Sequence, residues 1–364
     1  MKKYLDCFVP IYICNFKCHY CYVSLLNQFE EKARVFPRTP EEIAQALSSK
    51  RIGDGVFINL CAGGETLLLN DSVKLIRYLL EEGHHLAIVT NGSLTQRFDE
   101  IIKFPKNLLK RLFFKFSYHY LELKKRNLFD IYFSNICKVR DAGCSFTVEI
   151  TPSDELIPYA ADAKLRCLRS LGAYPHCTIA RDDRTGNIKI LSKLPLEKYK
   201  EQWATFESPL FDYKMYLYQH KIKTFCYAGD WTAYINLATG DVNPCNCGPV
   251  FYNIYKNYDE SLPRHAMGNY CELPYCYNGH GWLSLGADPD EYSPVYSLLR
   301  NRICLDQSEW ITNEFKRFWE EQLFKTNIYY DDTRKNLVNL RRYLECQRVT
   351  RRFLSVYYKI RQAK

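Results

Sequence analysis

The sequence predicts an α/β protein: a partial (β/α)6 barrel over residues 1–200, a small cysteine-rich domain over 222–285 and a helical C-terminal tail over 296–364. Three observations carry this. Strand and helix signals alternate six times before residue 183, the pattern of a parallel sheet with helices outside it. The chemically suggestive cysteines fall into two groups, 14–21 and 226–276. The whole net charge of +9 lies in residues 334–364.

The predicted strands are Leu5–Ile13, Gly55–Cys61, Leu86–Thr90, Leu112–Ser117, Cys144–Thr151 and His176–Ala180. Each is a short run rich in Val, Ile, Phe or Tyr, as buried parallel strands require. Between them, Thr39-Pro40-Glu41-Glu42 reads as a helix start with Thr39 as N-cap and Pro40 in the first turn. Helices are also predicted over Asp71–Glu82, Asn127–Ala142 and Asp154–Leu171, each stopped by a glycine. Residues 183–221 read as a charged, Tyr-rich connection. Trp231–Cys245 reads as a β-hairpin around Ala238-Thr239-Gly240-Asp241. Leu337, Leu340 and Leu344, extended by Phe353, Val356, Tyr357 and Ile360, make a basic amphipathic helix. That helix is expected to dock on the fold, with an acidic partner, nucleic acid or an anionic membrane surface as the alternative.

At 47% apolar, the 364 residues are expected to form a globular chain with room for two domains. No run reaches the roughly 20 apolar residues of a membrane span. The opening MKKYLDCFVPIYI is broken by Asp6 and Pro10 and lacks a small-residue cleavage site. A reducing cytoplasm is therefore expected, with the 16 cysteines as thiols or metal ligands rather than disulfides. Cys7, Cys61, Cys137, Cys144 and Cys167 read as small core residues, and Cys177 and Cys304 as thiols of less certain purpose.

Chemistry concentrates in CNFKCHYC, where Cys14, Cys18 and Cys21 follow the first strand with C-x3-C-x2-C spacing. Three close thiolates can hold three irons of a [4Fe-4S] cube and leave the fourth iron open to a ligand. Zinc is the alternative, but it favours four ligands from paired C-x2-C knuckles. Chemistry in such barrels sits at the carboxyl ends of the strands, which is where this loop falls.

With Tyr20 just before the third cysteine, the loop resembles the signature of the radical S-adenosylmethionine (SAM) superfamily. Gly63-Gly64-Glu65 after the second strand resembles that superfamily's GGE motif. The resemblance implies an open-iron [4Fe-4S] cluster that reductively cleaves SAM to a 5′-deoxyadenosyl radical, which takes hydrogen from a substrate carbon. It further implies that Gly63, Gly64 and Glu65 receive the SAM ammonium. Asn91 in Thr90-Asn91-Gly92, Ser117, and Arg181 at the end of the sixth strand are expected to join Tyr20 in binding SAM. Glu149 lies in the fifth strand, and Tyr118 and His119 just past Ser117. The catalytic side chains themselves are not identified.

Cys226, Gly240 and Cys245 resemble the opening of SPASM and twitch domains, which carry auxiliary [4Fe-4S] clusters. The full SPASM pattern is not met, so one auxiliary cluster is expected, on Cys226, Cys245, Cys271 and Cys276. Cys247 is the reserve ligand, His280 a further candidate, and zinc on the same thiolates remains open. Peptide or protein modification is the expected reaction (crosslink, epimerisation or oxidation). A small-molecule substrate such as a sugar or nucleoside is the alternative, and a non-enzymatic metal- and nucleic-acid-binding protein the second. The barrel starts almost at Met1, an expectation against a leader-peptide-binding domain ahead of it. A flavodoxin or ferredoxin is the expected electron donor.

Overall fold

The computed structural model describes residues 3–32, 36–184, 188–221, 223–246, 248–269, 271, 273–276 and 294–345. Cys247, His280 and most of the basic tail lie outside the described residues.

The six core strands are β1 (Tyr4–Val9), β2 (Phe57–Ala62), β3 (His85–Thr90), β4 (Leu112–Ser117), β5 (Ser145–Ile150) and β6 (His176–Cys177). They are parallel and paired in chain order. β1 stops at Val9 because Pro10 has no amide to continue the ladder. β6 is shorter than predicted. Past Cys177 the chain leaves this sheet edge, and Arg181 opens a separate two-stranded sheet, β7 (Arg181–Asp182) against β8 (Lys189–Ile190). Arg181 is therefore not the end of the sixth strand.

The helix signals hold with local breaks. Thr39 forms a capping box with Glu42 ahead of Pro40–Ala46. The predicted helix 127–142 forms as Phe129–Asp141, and an unpredicted helix, Tyr120–Arg126, precedes it and ends where Asn127 turns left-handed at φ 52°. Pro158 holds Asp154–Tyr159 in a tighter 3-10 turn before the helix Ala160–Leu171.

The predicted hairpin forms as β9 (Thr232–Asn236) and β10 (Asp241–Asn243), with β11 (Tyr252–Asn253) beyond. Asn236 shapes its turn by accepting the amides of Ala238 and Thr239 at 3.0 and 3.3 Å. Gly240 there has φ +81°, and a Cβ would meet the Tyr255 ring at 2.4 Å. β9 pairs in parallel with β1, so the hairpin extends the core sheet into one nine-stranded sheet, β11-β10-β9-β1-β2-β3-β4-β5-β6.

One face of this sheet carries the helices, with Phe98 and Tyr132 against Phe114 and Phe116. The other, inner face is packed at the strand beginnings by the C-terminal segment. Phe57 and Phe113 meet Tyr296, Phe315 and Trp319, and His85 stacks on Phe318 at 3.5 Å. The Lys3 ammonium donates to the Leu323 carbonyl at 2.6 Å.

Residues 332–345 are helical. They dock through Asn339, which accepts from the Asn269 amide, and Arg341, which donates to the Ala266 carbonyl. The predicted stripe Leu337, Leu340 and Leu344 is exposed rather than docked. Among the described residues no helix is long and apolar enough to cross a membrane.

Candidate active site

Past β1, residues 11–13 run beside the Gly63–Glu65 turn. The amides of Gly63, Gly64 and Glu65 donate to the carbonyls of Val9, Ile11 and Ile13 at 3.2, 2.7 and 3.0 Å. The two glycines make this approach possible: a Cβ on Gly64 would lie 2.0 Å from the Ile13 carbonyl oxygen, and one on Gly63 would lie 2.7 Å from the Tyr12 ring. The turn thus fastens the stem of the cysteine loop. With the amides taken, a ligand ammonium has carbonyl oxygens to meet there, as its donor chemistry requires.

Glu65 is almost fully buried. Its carboxylate accepts from the Leu67 amide at 3.0 Å, the Thr90 hydroxyl at 2.7 Å and the Asn91 amide at 2.7 Å. Burial pushes its pKa up against these three bonds. Glu65 therefore joins the ends of β2 and β3. Asn91 carries the link onward, donating to Asn15 at 2.8 Å, while Asn15 donates to Ser93 at 2.8 Å. Cysteine loop, GGE turn and the Thr90-Asn91-Gly92 tripeptide form one hydrogen-bonded unit.

Within the loop, the Cys18 carbonyl accepts from the Cys21 amide at 3.1 Å and the Ser24 hydroxyl at 2.6 Å, starting the helix Tyr22–Leu25. Cys18 is buried, Cys14 and Cys21 half-buried. The Phe16 amide points at the Cys14 sulfur at 3.4 Å, and the amides of Val23 and Ser24 serve Cys21. Burial raises the Cys14 thiol to about 11 and pushes Cys18 higher, with Cys21 and Cys14 adding their own repulsion to Cys18. Three mutually repelling thiols with amides aimed at sulfur fit the thiolate ligands of a [4Fe-4S] cluster, whose cationic irons replace their protons. Among the described residues no three His, Cys, Asp or Glu side chains converge on one metal ion. Cluster thiolates differ from such a group because each binds its own iron.

Tyr20 meets His119 through a 2.8 Å hydrogen bond between its hydroxyl and Nδ1. Burial lowers His119 to about 4, so the ring is neutral at neutral pH. Ser117 ends β4 in register with Glu149 on β5. Arg181 lies 3.9 Å from Asp183 on the β7–β8 hairpin, and Asp183 is close enough to affect the Cys21 thiol.

The inner face also holds charges that the motifs did not single out: Asp6, Lys115, and Arg300 and Lys214 from packing helices. Arg300 is fully buried and pairs with Glu149. Burial opposes the Glu149 charge, but Arg300, Lys115 and Lys214 hold its pKa down at about 2. Asp6 accepts from Asn59 at 2.8 Å. A signal existed for two of these: Asp6 in YLDCFV and Lys115 in LFFKFS, like Glu149 in SFTVEI, interrupt apolar strands at inward positions.

The second cysteine group is arranged differently. Cys226 exchanges backbone hydrogen bonds with Gly268 at 3.2 and 3.0 Å. Cys226 and Cys245 pack against the main core, whereas Cys276 packs against Tyr213, Leu217 and Leu299. The Cys271 carbonyl accepts from Lys221 at 2.5 Å. Among the described residues neither this group nor the first loop gathers three side chains on one metal ion, and a cluster, whose thiolates each bind their own iron, needs no such convergence.

The fold and the loop define a parallel α/β sheet with a three-cysteine site at its carboxyl end. Residues 8–152 match the family described as the Radical SAM superfamily. Among solved structures, the chain is similar to Streptococcus suis SuiB bound to S-adenosylmethionine, at 15% identity and a TM-score of 0.48, over 71% of this chain and 65% of that one. The chain thus spans just under two thirds of that SuiB chain. It is similar to native anSMEcpe with bound AdoMet and Cp18Cys peptide at 13% identity and a TM-score of 0.44, over 92% of this chain and 99% of that one. It is also similar to BtrN in complex with AdoMet and 2-DOIA, at 16% identity and a TM-score of 0.32, over 71% and 81% of the two chains. No curated protein matches the sequence.

Proposed function

We propose that this protein is a radical SAM enzyme that modifies a peptide or protein at a carbon held over the inner face of the sheet. The observation that carries the reading is the unit built from Cys14–Cys21, Gly63–Glu65 and Thr90–Asn91 within the segment that matches the radical SAM family. When bound, the cluster and SAM supply an organic radical that takes hydrogen from unactivated carbon. Cys14, Cys18 and Cys21 hold the cluster. The carbonyl side of Gly63–Glu65 receives the SAM ammonium. Tyr20, Asn91, Ser117 and Arg181 surround the remainder of SAM, Tyr20 with its hydroxyl fixed by His119.

A flavodoxin- or ferredoxin-class protein supplies the electron. An auxiliary [4Fe-4S] cluster on Cys226, Cys245, Cys271 and Cys276 completes the site. The resemblance of Cys226, Gly240 and Cys245 to SPASM and twitch openings supports both the auxiliary cluster and the peptide substrate. Anaerobic reconstitution with iron and sulfide, then SAM and dithionite, tests the reading. The expected result is absorption near ~410 nm and 5′-deoxyadenosine. A protein giving neither is not a radical SAM enzyme.

A further inference from the structure

We propose that the inner face recognises a carboxylate of the substrate through Lys115. The inference rests on the radical SAM reading only in placing the reacting carbon above this tier.

Strand register fixes the position. Lys115 is level with Thr147 on β5 and Val89 on β3, and two residues below Ser117 along β4. It therefore lies one tier beneath the strand ends where SAM is placed. Lys115, Val89 and Cys61 are all half-buried, so the face keeps accessible surface at this depth. Asp6 and Glu149 both feel the Lys115 charge, so its ammonium lies within electrostatic reach of each.

The two carboxylates have other first partners, Asn59 for Asp6 and Arg300 for Glu149. Lys214, the other ammonium near Glu149, donates to the Thr178 hydroxyl. Among the described residues Lys115 makes no hydrogen bond or ion pair. Beside it, the Thr147 hydroxyl is fully buried and also lacks a partner among the described residues. A buried hydroxyl without a partner is costly, and the half-buried ammonium beside it has neighbouring carboxylates that are already hydrogen-bonded elsewhere. Hydroxyl and ammonium are together two donors facing one tier.

Lys115 is the ammonium of this tier left without a hydrogen-bonded partner among the described residues, because Arg300 is taken by Glu149 and Lys214 by Thr178, and burial pushes Asp6 toward its neutral form. A carboxylate cancels its single charge, whereas a phosphate monoester carries about −1.5 to −2 and overshoots.

Full-length protein reconstituted with iron and sulfide, with SAM present, is titrated by calorimetry with N-acetylglycine and, separately, N-acetylglycinamide. The acid is expected to bind at least about tenfold tighter, the difference a charge-assisted bond makes. Lys115→Met should remove that preference, Lys115→Arg retain it, and Thr147→Val reduce it severalfold. Equal binding of acid and amide, no binding of the acid at millimolar concentration, or a Lys115→Met protein that still prefers the acid overturns the proposal. Inorganic phosphate binding as tightly as the acid overturns the single-charge assignment. If Lys115→Met does not fold, the acid–amide comparison with Lys115→Arg and Thr147→Val decides. 5′-Deoxyadenosine formation is followed in wild type on the same preparation. Its absence overturns the radical SAM reading, whereas its presence without acid preference overturns only the carboxylate site.

Discussion

Cys14, Cys18 and Cys21 belong to a single loop, whereas Cys226, Cys245, Cys271 and Cys276 come from separate segments of a fifty-residue stretch. The first group needs one local event. Its stem is clamped by three amides of the Gly63–Glu65 turn, and its tip starts a helix. The second group needs several packing events to agree. Cys226 is set by a bridge to Gly268, Cys245 by the end of a hairpin, and Cys276 by contact with Tyr213 and Leu217. A site encoded by spacing can be read from sequence; a site assembled by tertiary packing cannot.

Mutations can break this contrast. The largest effect is expected for Cys18→Ala, which should abolish 5′-deoxyadenosine formation and remove about four irons per chain. Cys226→Ala should also remove about four irons but leave SAM cleavage measurable; iron analysis of the two variants side by side checks this. Unchanged iron in the Cys226→Ala protein would mean that the second group holds no cluster.

Gly64→Ala sharpens the first half of the comparison. Its methyl would collide with the Ile13 carbonyl, so the stem must move. A loss of about 1–3 kcal/mol in denaturant unfolding is expected, together with lower cluster occupancy. Gly143, with nothing within 4 Å of its Cβ position, should tolerate the same change with only the strain of its positive φ.

A smaller effect concerns pH. His85, buried against Phe318 and repelled by Arg111 and His84, titrates at about 3 in place of 6.5. Between those values the unfolded chain binds the proton and the folded one does not. Stability is thus complete above pH 6.5 and falls as pH drops toward 3. His85→Phe should flatten that part of the acid-unfolding curve. Smallest of all, Leu340→Lys on the exposed stripe should stay within about 0.5 kcal/mol of wild type by thermal melting.

The strands were legible because short, nearly unbroken apolar runs leave little choice in Leu112–Ser117 or His85–Thr90. The cysteine loop was legible for the same local reason. Three things were not. β6 ends at Cys177 at the sheet edge, and Arg181 pairs instead with Ile190 in another sheet. Glu65 reads as a ligand-facing charge in a motif but is mostly engaged by Thr90 and Asn91, partners some 25 residues away. Arg300 lies far along the chain from Glu149, and no periodicity announces such a pair. The unread parts are those fixed by contacts between distant segments.

The seating of residues 296–323 against Phe57, His85 and Phe113 bears on how the chain is made. Those aromatics are translated early, and their cover emerges only after some 180 further residues separate Phe113 from Tyr296. At about 5–20 residues per second, the nascent sheet carries a bare aromatic floor for roughly ten seconds or more. Pairings this distant in sequence also close slowly. Chaperone engagement during synthesis, and insolubility of the isolated 1–200 fragment, follow from the same geometry.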